Sequence, residues 1–446
     1  MKDRPEVRWI RIAVSAVLAA IALFLPLGMD AQAHVLLVIT AFTAVMWFSE
    51  ALPLHVTAFL STILLILAGA STPVSAFSNY FSPTVVLFFG GFVIARAMEK
   101  HGLDRQIAIF LSSRAGTNPS LFLLGLMAVT AFISLWISNT ATALMMMPIA
   151  LFALTKTGLK KRASSYAKSA VLGVAFASSI GGIGTLVGTP PNGITVANLA
   201  KEGITVTFLD WLWYGMPYVI ILVPLAWLIL GAVFPPEVKV LEIRRGKSRW
   251  TGAQKRVLAV LAVTILCWVT SIVHGIHDSV VAMGAVVALY ALGLLESNDV
   301  SKIGWPVLLL FGGGLALGAA IDSSGLGGYL GGLLGSLVAG QSVFVLYLAV
   351  IAFAVLMTLT ASNTATAALL IPIVMPLASS LGTGVKQLTV LAGIGTSLDF
   401  IIPVGTPPSA IAYSSGYISM GDIVKAGVVL TVVAALLLTF LAWLYW

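Results

Sequence analysis

The sequence predicts an all-α polytopic membrane protein: eleven membrane-crossing helices and two re-entrant helical hairpins, arranged as inverted five-helix repeats. Three observations predict it. Of 446 residues, 59% are hydrophobic and only 9% charged, where a soluble domain carries about 25% charged residues. Apolar runs of roughly 17–25 residues, the length that crosses a bilayer as helix, recur along the chain with no soluble domain between them. Finally, a hexapeptide, Ser138-Asn139-Thr140-Ala141-Thr142-Ala143, returns as Ser362-Asn363-Thr364-Ala365-Thr366-Ala367. Each copy is followed downstream by Gly-Thr-Pro-Pro, at Gly188-Thr189-Pro190-Pro191 and Gly405-Thr406-Pro407-Pro408. A β-barrel would show period-two alternation instead.

Residues 1–33 hold a first helix near 9–27 behind a basic start (Lys2, Arg4, Arg8, Arg11). No small-residue cleavage site is evident, so the helix is expected to be retained. The first repeat, 34–234, opens with crossings near 34–50, 54–70 and 83–99. Residues 119–156 are too many for one helix and are interrupted at Ser138-Asn139-Thr140, which suits a hairpin dipping in and out. The segment 166–200 is broken by Gly181-Gly182, Gly184 and the Pro190-Pro191 pair. Two successive prolines remove backbone donors and forbid helix continuation, so two half-helices are expected. Residues 211–233 cross once more before a polar cytoplasmic connector, 235–254.

The second repeat, 255–446, follows the same order. Crossings lie near 255–272, 279–295 and 305–321, then a hairpin at 342–380, a broken helix at 387–413 and a last helix from 422. Pro83, Gly90 and Gly102-Leu103 match Pro306, Gly313 and Gly325-Leu326 with the same internal spacing, and Pro148 follows its hexapeptide as Pro372 follows the second. An odd number of crossings per repeat forces the halves into opposite orientations.

With the N-terminus cytoplasmic, 22 of the 24 Lys and Arg fall inside and only Lys201 and Lys386 outside, as the positive-inside rule requires. The C-terminus is then external. The net charge of +8 needs no nucleic-acid partner, because this distribution accounts for it. The single Cys267 excludes an intrachain disulfide.

Polar residues and helix breaks at matching positions in apolar halves are what a duplicated transporter needs at a midplane site. Ser, Asn and Thr supply neutral oxygens and an unwound backbone adds carbonyls, suitable ligands for a hard, weakly held cation such as sodium. The same breaks create helix N-termini, whose N–H groups and dipoles hold carboxylates. No Lys or Arg lies inside the four motifs, so bound cations are expected to provide the countercharge for an anionic substrate. Interhelical hydrogen bonding is the plainer reading of one Ser-Asn-Thr; two copies in inverted halves argue against it. Gly182-Ile183-Gly184 and Gly327-Gly328 follow no strand, so close helix packing explains them better than a nucleotide.

At these residues the chain resembles a known family. Ser-Asn-Thr twice, each with a downstream Thr-Pro, together with Trp47-Phe48-Ser49-Glu50-Ala51-Leu52-Pro53, is similar to the divalent anion:sodium symporters, the sodium-dicarboxylate cotransporter family. The resemblance covers nearly the whole chain. It implies a homodimer working by an elevator motion, in which hairpins and broken helices slide against a scaffold, and sodium co-transported without an organic cofactor. It also implies a first sodium site at Ser134, Ser138, Asn139 and carbonyls around Gly188, and a second at Thr358, the Ala361 carbonyl, Asn363 and Gly405. Substrate carboxylates would meet Asn139, Thr140, Asn363 and Thr364, with Thr189, Pro190, Thr406 and Pro407 alongside. Thr in both hexapeptides points, within this family, to C4-dicarboxylates (succinate, fumarate, malate) rather than citrate or sulfate. The expected location is a bacterial inner membrane. The halves differ where Asn192 follows the first Pro-Pro and Ser409 the second.

Ionisable residues in apolar sequence are suspect by default. Asp399 is a candidate proton site or distant sodium ligand, opposite Gly182 in the other half. Glu50 is expected to end a helix, and Glu99 and Asp322 to occupy matching helix ends. His274 and His277, beside Asp278, suit a solvated loop. The amphipathic stretch 104–114 suits the membrane surface. The alternatives left open are sodium-independent or proton-coupled anion exchange on the same scaffold, and a passive channel. An enzyme is not expected, since no nucleophile with a His base, metal-ligand set or nucleotide loop stands in place.

Overall fold

The computed structural model describes residues 5–24, 28–103, 106, 117–241, 250–338, 340–380, 383–403 and 405–446. The stretch 104–114 (Gln106 apart), residues 242–249 of the connector, and Lys2 and Arg4 lie outside the described residues. The described chain is helical and holds no β-strand. The first half comprises α1 (Pro5–Phe24), α2 (Ala31–Ser49), α3 (Leu54–Leu67), α4 (Pro73–Ser78), α5 (Pro83–Lys100), α6 (Pro119–Ser134), α7 (Asn139–Lys156), α8 (Ser165–Ile183), α9 (Pro190–Lys201) and α10 (Phe208–Val233). The second comprises α11 (Gly252–Val269), α12 (Ser271–His274), α13 (Asp278–Ala291), α14 (Trp305–Ser323), α15 (Leu326–Val338), α16 (Val343–Thr358), α17 (Asn363–Ser380), α18 (Val385–Gly395), α19 (Pro407–Ser414) and α20 (Met420–Tyr445).

Helix starts follow local chemistry. Asn118 caps α6, its Oδ1 accepting from the N–H groups of Ser120 and Leu121 at 3.0 and 3.1 Å, with Pro119 at the first helical position. Pro costs nothing there because that N–H has no helical partner. Ser342 caps α16 in the same role. The motif at 47–53 is a tight turn between α2 and α3: Glu50 takes a left-handed conformation (φ 48°), and the buried Trp47 indole donates to the Leu54 carbonyl at 3.0 Å.

Among the described residues, seven segments are long and apolar enough to cross a membrane: α2, residues 73–100, α8, α10, α11, α14 and α20. The crossings expected at 54–70 and 279–295 are shorter. Helices α3 and α13 have 14 residues each, about 21 Å at 1.5 Å per residue, against a hydrocarbon core of about 30 Å. Both stop at matching glycines with positive φ, Gly69 (71°) and Gly293 (64°). Beyond each, an N–H turns back to close the helix end, Ala70 to the Leu65 carbonyl and Leu294 to the Leu289 carbonyl, both at 2.9 Å.

The halves interlock. Helix α5 packs on α13, and α14 packs on α3. An ideal Cβ on Gly90 would lie 2.6 Å from the Ala282 Cβ, and one on Gly313 would lie 2.5 Å from the Ala58 Cβ. These matched small-residue contacts bring helix backbones together where lipid supplies no hydrophobic drive. Farther along, α9 packs on α17 and α18, while α19 packs on α7 and α8. Each broken helix therefore sends its second part against the hairpin and first part of the opposite half. Helices α10 and α20 also pack together, with the Tyr218 hydroxyl donating to the Ala434 carbonyl at 3.0 Å.

One helix departs from the sequence reading. Residues 326–338, where the sequence reading placed close helix packing at Gly327-Gly328 but no helix, form α15, which packs on α17. An ideal Cβ on Gly327 would come within 2.7 Å of Pro376, whereas Gly328 has open space. Glycine here is a contact surface for one helix rather than the end of another.

A polar cluster joins the halves at one end. The Asp299 carboxylate accepts from Lys100 at 2.7 Å and from Arg96 at 3.1 Å, and Lys100 also reaches Glu296 at 3.1 Å. The hydrogen bond from Lys100 holds the Asp299 carboxyl well below the usual carboxylate range, with the Glu296 N–H and Arg96 adding to it. A carboxyl depressed in the folded state contributes stability above its unfolded value, near 4, and loses that contribution as pH falls below it. Asp299→Asn is therefore expected to lower the thermal unfolding midpoint in detergent at pH 7, and the gap to wild type is expected to narrow as pH falls below about 4.

Candidate functional site

Each hexapeptide begins a helix. Ser138 and Ser362 cap α7 and α17, their hydroxyl oxygens accepting the N–H of Ala141 at 3.3 Å and of Ala365 at 3.2 Å. Asn139 and Asn363 are then the first helical residues and Thr140 and Thr364 the second, so their N–H groups are among those a helix leaves unpaired. Thr142 and Thr366, one turn in, are fully buried with hydroxyls that find no partner.

The Asn side chains fold back across the hairpin turns in matching ways. Ser134 Oγ lies 2.8 Å from Asn139 Oδ1 and Thr358 Oγ1 lies 2.6 Å from Asn363 Oδ1. Ser134 Oγ is also 2.7 Å from the Ser178 carbonyl oxygen. A hydroxyl has one proton to give, so this group of three oxygens holds one hydrogen between them. Such an oxygen-rich, donor-poor cluster suits a hard cation. Gly182 makes the approach possible, because a Cβ there would collide with Asn139 Oδ1.

The helix breaks supply the other side. Between α8 and α9 the backbone is unwound at Gly184–Thr189; between α18 and α19 it is unwound at 396–403 and 405–406. Pro190-Pro191 and Pro407-Pro408 take the first two helical positions. They remove N–H donors while the carbonyls before them stay, so these helix ends offer oxygen more than hydrogen. In the first break Asn192 ties the loop together, its Nδ2 donating to the carbonyls of Thr185 (2.7 Å) and Gly182 (3.0 Å). In the second, Ser409 cannot span that distance; its N–H donates instead to Thr406 Oγ1 at 3.3 Å.

Tips and breaks meet at one cavity of about 470 Å³. Its walls include Ser138, Asn139 and Thr140 from one tip and Ser362, Asn363 and Thr364 from the other. Gly188, Thr189 and Pro190 line it from the first break, and Gly405, Thr406 and Pro407 from the second. Four helix N-termini, those of α7, α9, α17 and α19, thus converge on it, each carrying the positive end of a helix dipole. Ser134 and Thr358 lie fully buried behind the tips, as does most of Ala361.

One expectation is corrected. The motifs contain no Lys or Arg, yet the cavity is not free of fixed cations: Arg96 and Lys302 line it, with His55 and Glu99. They come from the end of α5 and the turn before α14, far in sequence from the motifs, and only folding brings them there. Arg96 is already engaged by Asp299 at 3.1 Å and by Glu99 at 3.8 Å.

Other polar candidates take structural positions. His274 receives the Ile276 N–H at 3.0 Å and lies 2.8 Å from the Cys267 carbonyl, while His277 caps α13. Asp278 accepts the Phe208 N–H at 2.8 Å. Asn192 and Gly182 were not singled out as site residues by the sequence. The doubled glycine at 181–182 marked the break without showing that Asn139 leans on it.

Comparison with known proteins follows the same lines. The family described as "sodium:sulfate symporter transmembrane region" matches residues 6–446. An uncharacterized transporter of Haemophilus influenzae is 37% identical, with 94% of this chain and 93% of the relative covered. The sodium-dependent dicarboxylate transporter SdcS of Staphylococcus saprophyticus is 32% identical (91% and 84% covered), and that of Staphylococcus aureus 31% (94% and 87%). Among solved structures, the YdaH transporter of Alcanivorax borkumensis aligns with a TM-score of 0.60 at 14% identity, covering 83% of this chain and 86% of that one. MtrF of Neisseria gonorrhoeae, described among antimetabolite efflux pumps, aligns with the same score and identity, covering 86% and 84%. At that identity the likeness is one of fold.

The contact between Gly182 and Asn139 gives a direct test. Gly182→Ala is expected to cost roughly 1–3 kcal/mol through overpacking, seen as a lower unfolding midpoint. Gly231→Ala, where an added Cβ meets open space, is expected to leave it unchanged or slightly raised. Equal midpoints for the two variants would contradict the close approach.

Proposed function

This chain belongs to the sodium:sulfate symporter family, the divalent anion:sodium symporters, and on that premise we propose that it couples uptake of C4-dicarboxylates to sodium. It is a multi-pass membrane transporter, as its family and relatives are, and not an enzyme. The single observation that carries the proposal is the cavity where both hexapeptide tips and both helix breaks meet. Each tip presents an Asn, a Thr and unpaired helix N–H groups to it, a neutral set of donors suited to one carboxylate. Two such sets in one cavity suit a molecule with a carboxylate at each end, such as succinate, fumarate or malate. The relatives named as sodium-dependent dicarboxylate transporters support that choice.

Sodium is the second substrate. The first ion is assigned to Ser134, Ser138, Asn139 and carbonyls near Gly188, the second to Thr358, the Ala361 carbonyl, Asn363 and Gly405. With cations and dianion bound side by side, each lowers the electrostatic cost of the other, which is coupling by linkage. Arg96 and Lys302 stand on the side that the basic residues mark as cytoplasmic, so the cavity reads as open inward. There they draw a dianion toward the mouth without gripping it, since Asp299 and Glu99 offset Arg96.

The interlocked hairpins and half-helices are assigned to the moving part of an elevator, sliding against a scaffold in a homodimer. The protein is assigned to the inner membrane, N-terminus cytoplasmic and C-terminus external.

Purified protein in liposomes is expected to accumulate radiolabelled succinate against its gradient when sodium is imposed outside, and not when potassium or a proton gradient replaces it. Asn139→Ala and Asn363→Ala are each expected to reduce that uptake to background while the protein still unfolds cooperatively. Uptake without sodium would overturn symport in favour of exchange or proton coupling. Competition by sulfate or citrate in place of fumarate would reassign the substrate.

A further inference from the structure

The two halves differ chemically at one point of the duplicated design. In the first, α8 runs on to Ile183 and α9 starts at Pro190; in the second, α18 stops at Gly395 and α19 starts only at Pro407. Aligning Gly188 with Gly405 sets Gly182 opposite Asp399. An ideal Cβ on Gly188 would lie 2.5 Å from the Gly182 carbonyl oxygen, and one on Gly405 would overlap Asp399 Oδ2. Where the first break offers the backbone a carbonyl oxygen, the second offers a carboxylate oxygen.

Asp399 is fully buried. Its Oδ1 accepts the Ile401 N–H at 3.3 Å and the Ile402 N–H also faces the carboxylate, but its Oδ2 meets no donor in hydrogen-bond geometry, and neither does the hydroxyl of buried Ser397 two residues away. Among the described residues no Lys, Arg or His forms an ion pair with it. A turn-forming aspartate would need only Oδ1. Leaving a carboxylate oxygen buried and unpaired is among the most costly arrangements a protein can hold, and either a proton on it or a cation beside it removes that cost; the contact with the Gly405 backbone favours the cation.

We infer that Asp399 supplies an anionic oxygen to the sodium ion held at the second break, beside Gly405. This rests on the sodium-coupled reading and adds to it: the two cation positions are unequal. The first is built from neutral oxygens. The second carries its own negative charge and holds sodium more tightly than the first when no dicarboxylate is present.

Binding of radioactive sodium to the full-length protein in detergent, with no dicarboxylate present, tests this. Wild type is expected to show one tight class of site. Asp399→Asn, nearly isosteric, and Asp399→Gly, which copies the first half, are each expected to weaken that class about tenfold or more, since ligand charge sets the affinity of such sites. Asn363→Ala is expected to weaken it too, placing the ion at the second break. Wild-type affinity in a folded variant of either kind at position 399, or a tight class untouched by Asn363→Ala, would overturn the inference while leaving sodium coupling standing. Absence of any sodium binding by wild type would instead remove the sodium-coupled reading and this inference with it.

Discussion

A helix that ends inside apolar protein leaves up to four backbone N–H or C=O groups without partners, and away from water each such group costs several kcal/mol. This chain ends helices there at two hairpin tips and two breaks, and much of the architecture answers that constraint. Ser138 and Ser362 cap two of the ends, prolines delete donors at two more, and the Asn192 amide gathers the carbonyls of the first break. All four of these helix ends border one cavity. The candidate site is thus built where the fold interrupts its helices.

The parts of this arrangement that depend on local chemistry were legible in the sequence. Helix interruption by Ser-Asn-Thr and by Pro-Pro is a property of those residues wherever they stand, so hairpin and break positions could be read directly. Contacts across the breaks were not legible: that Asn139 leans on Gly182, or that Arg96 and Lys302 reach the cavity, depends on segments that meet only after folding. Helix α15 was hidden for another reason. Gly327 was read as a packing contact, which its approach to Pro376 bears out, but residues so rich in glycine gave no apolar run that marked a helix. The early ends of α3 and α13 were marked by Gly69 and Gly293, but a glycine inside or at the edge of an apolar run does not by itself say that the helix stops.

Duplication fixes much of the molecule, and the departures from it are confined. Matched glycines at 90 and 313 meet alanines of the opposite half, and matched Asn residues receive matched hydroxyls at 2.8 and 2.6 Å. The breaks diverge: an amide holds the first closed, and a carboxylate sits in the second. A symmetric scaffold with unlike breaks gives two equivalent positions different charge without moving a helix, and ligand charge is one of the terms that set cation affinity.

The crossed packing of the half-helices also bears on how the protein is made. Helix α9 is complete once residue 201 is synthesised, yet its neighbours α17 and α18 end only at residues 380 and 395. At ordinary rates of synthesis that is a wait of roughly 10–40 s. During it the first break and its tip lie in the membrane without the surfaces that will bury them. The nascent first half is therefore a substrate for whatever shields unpaired polar segments during insertion, and a chain truncated before α17 should be cleared by quality control rather than persist as a half-transporter.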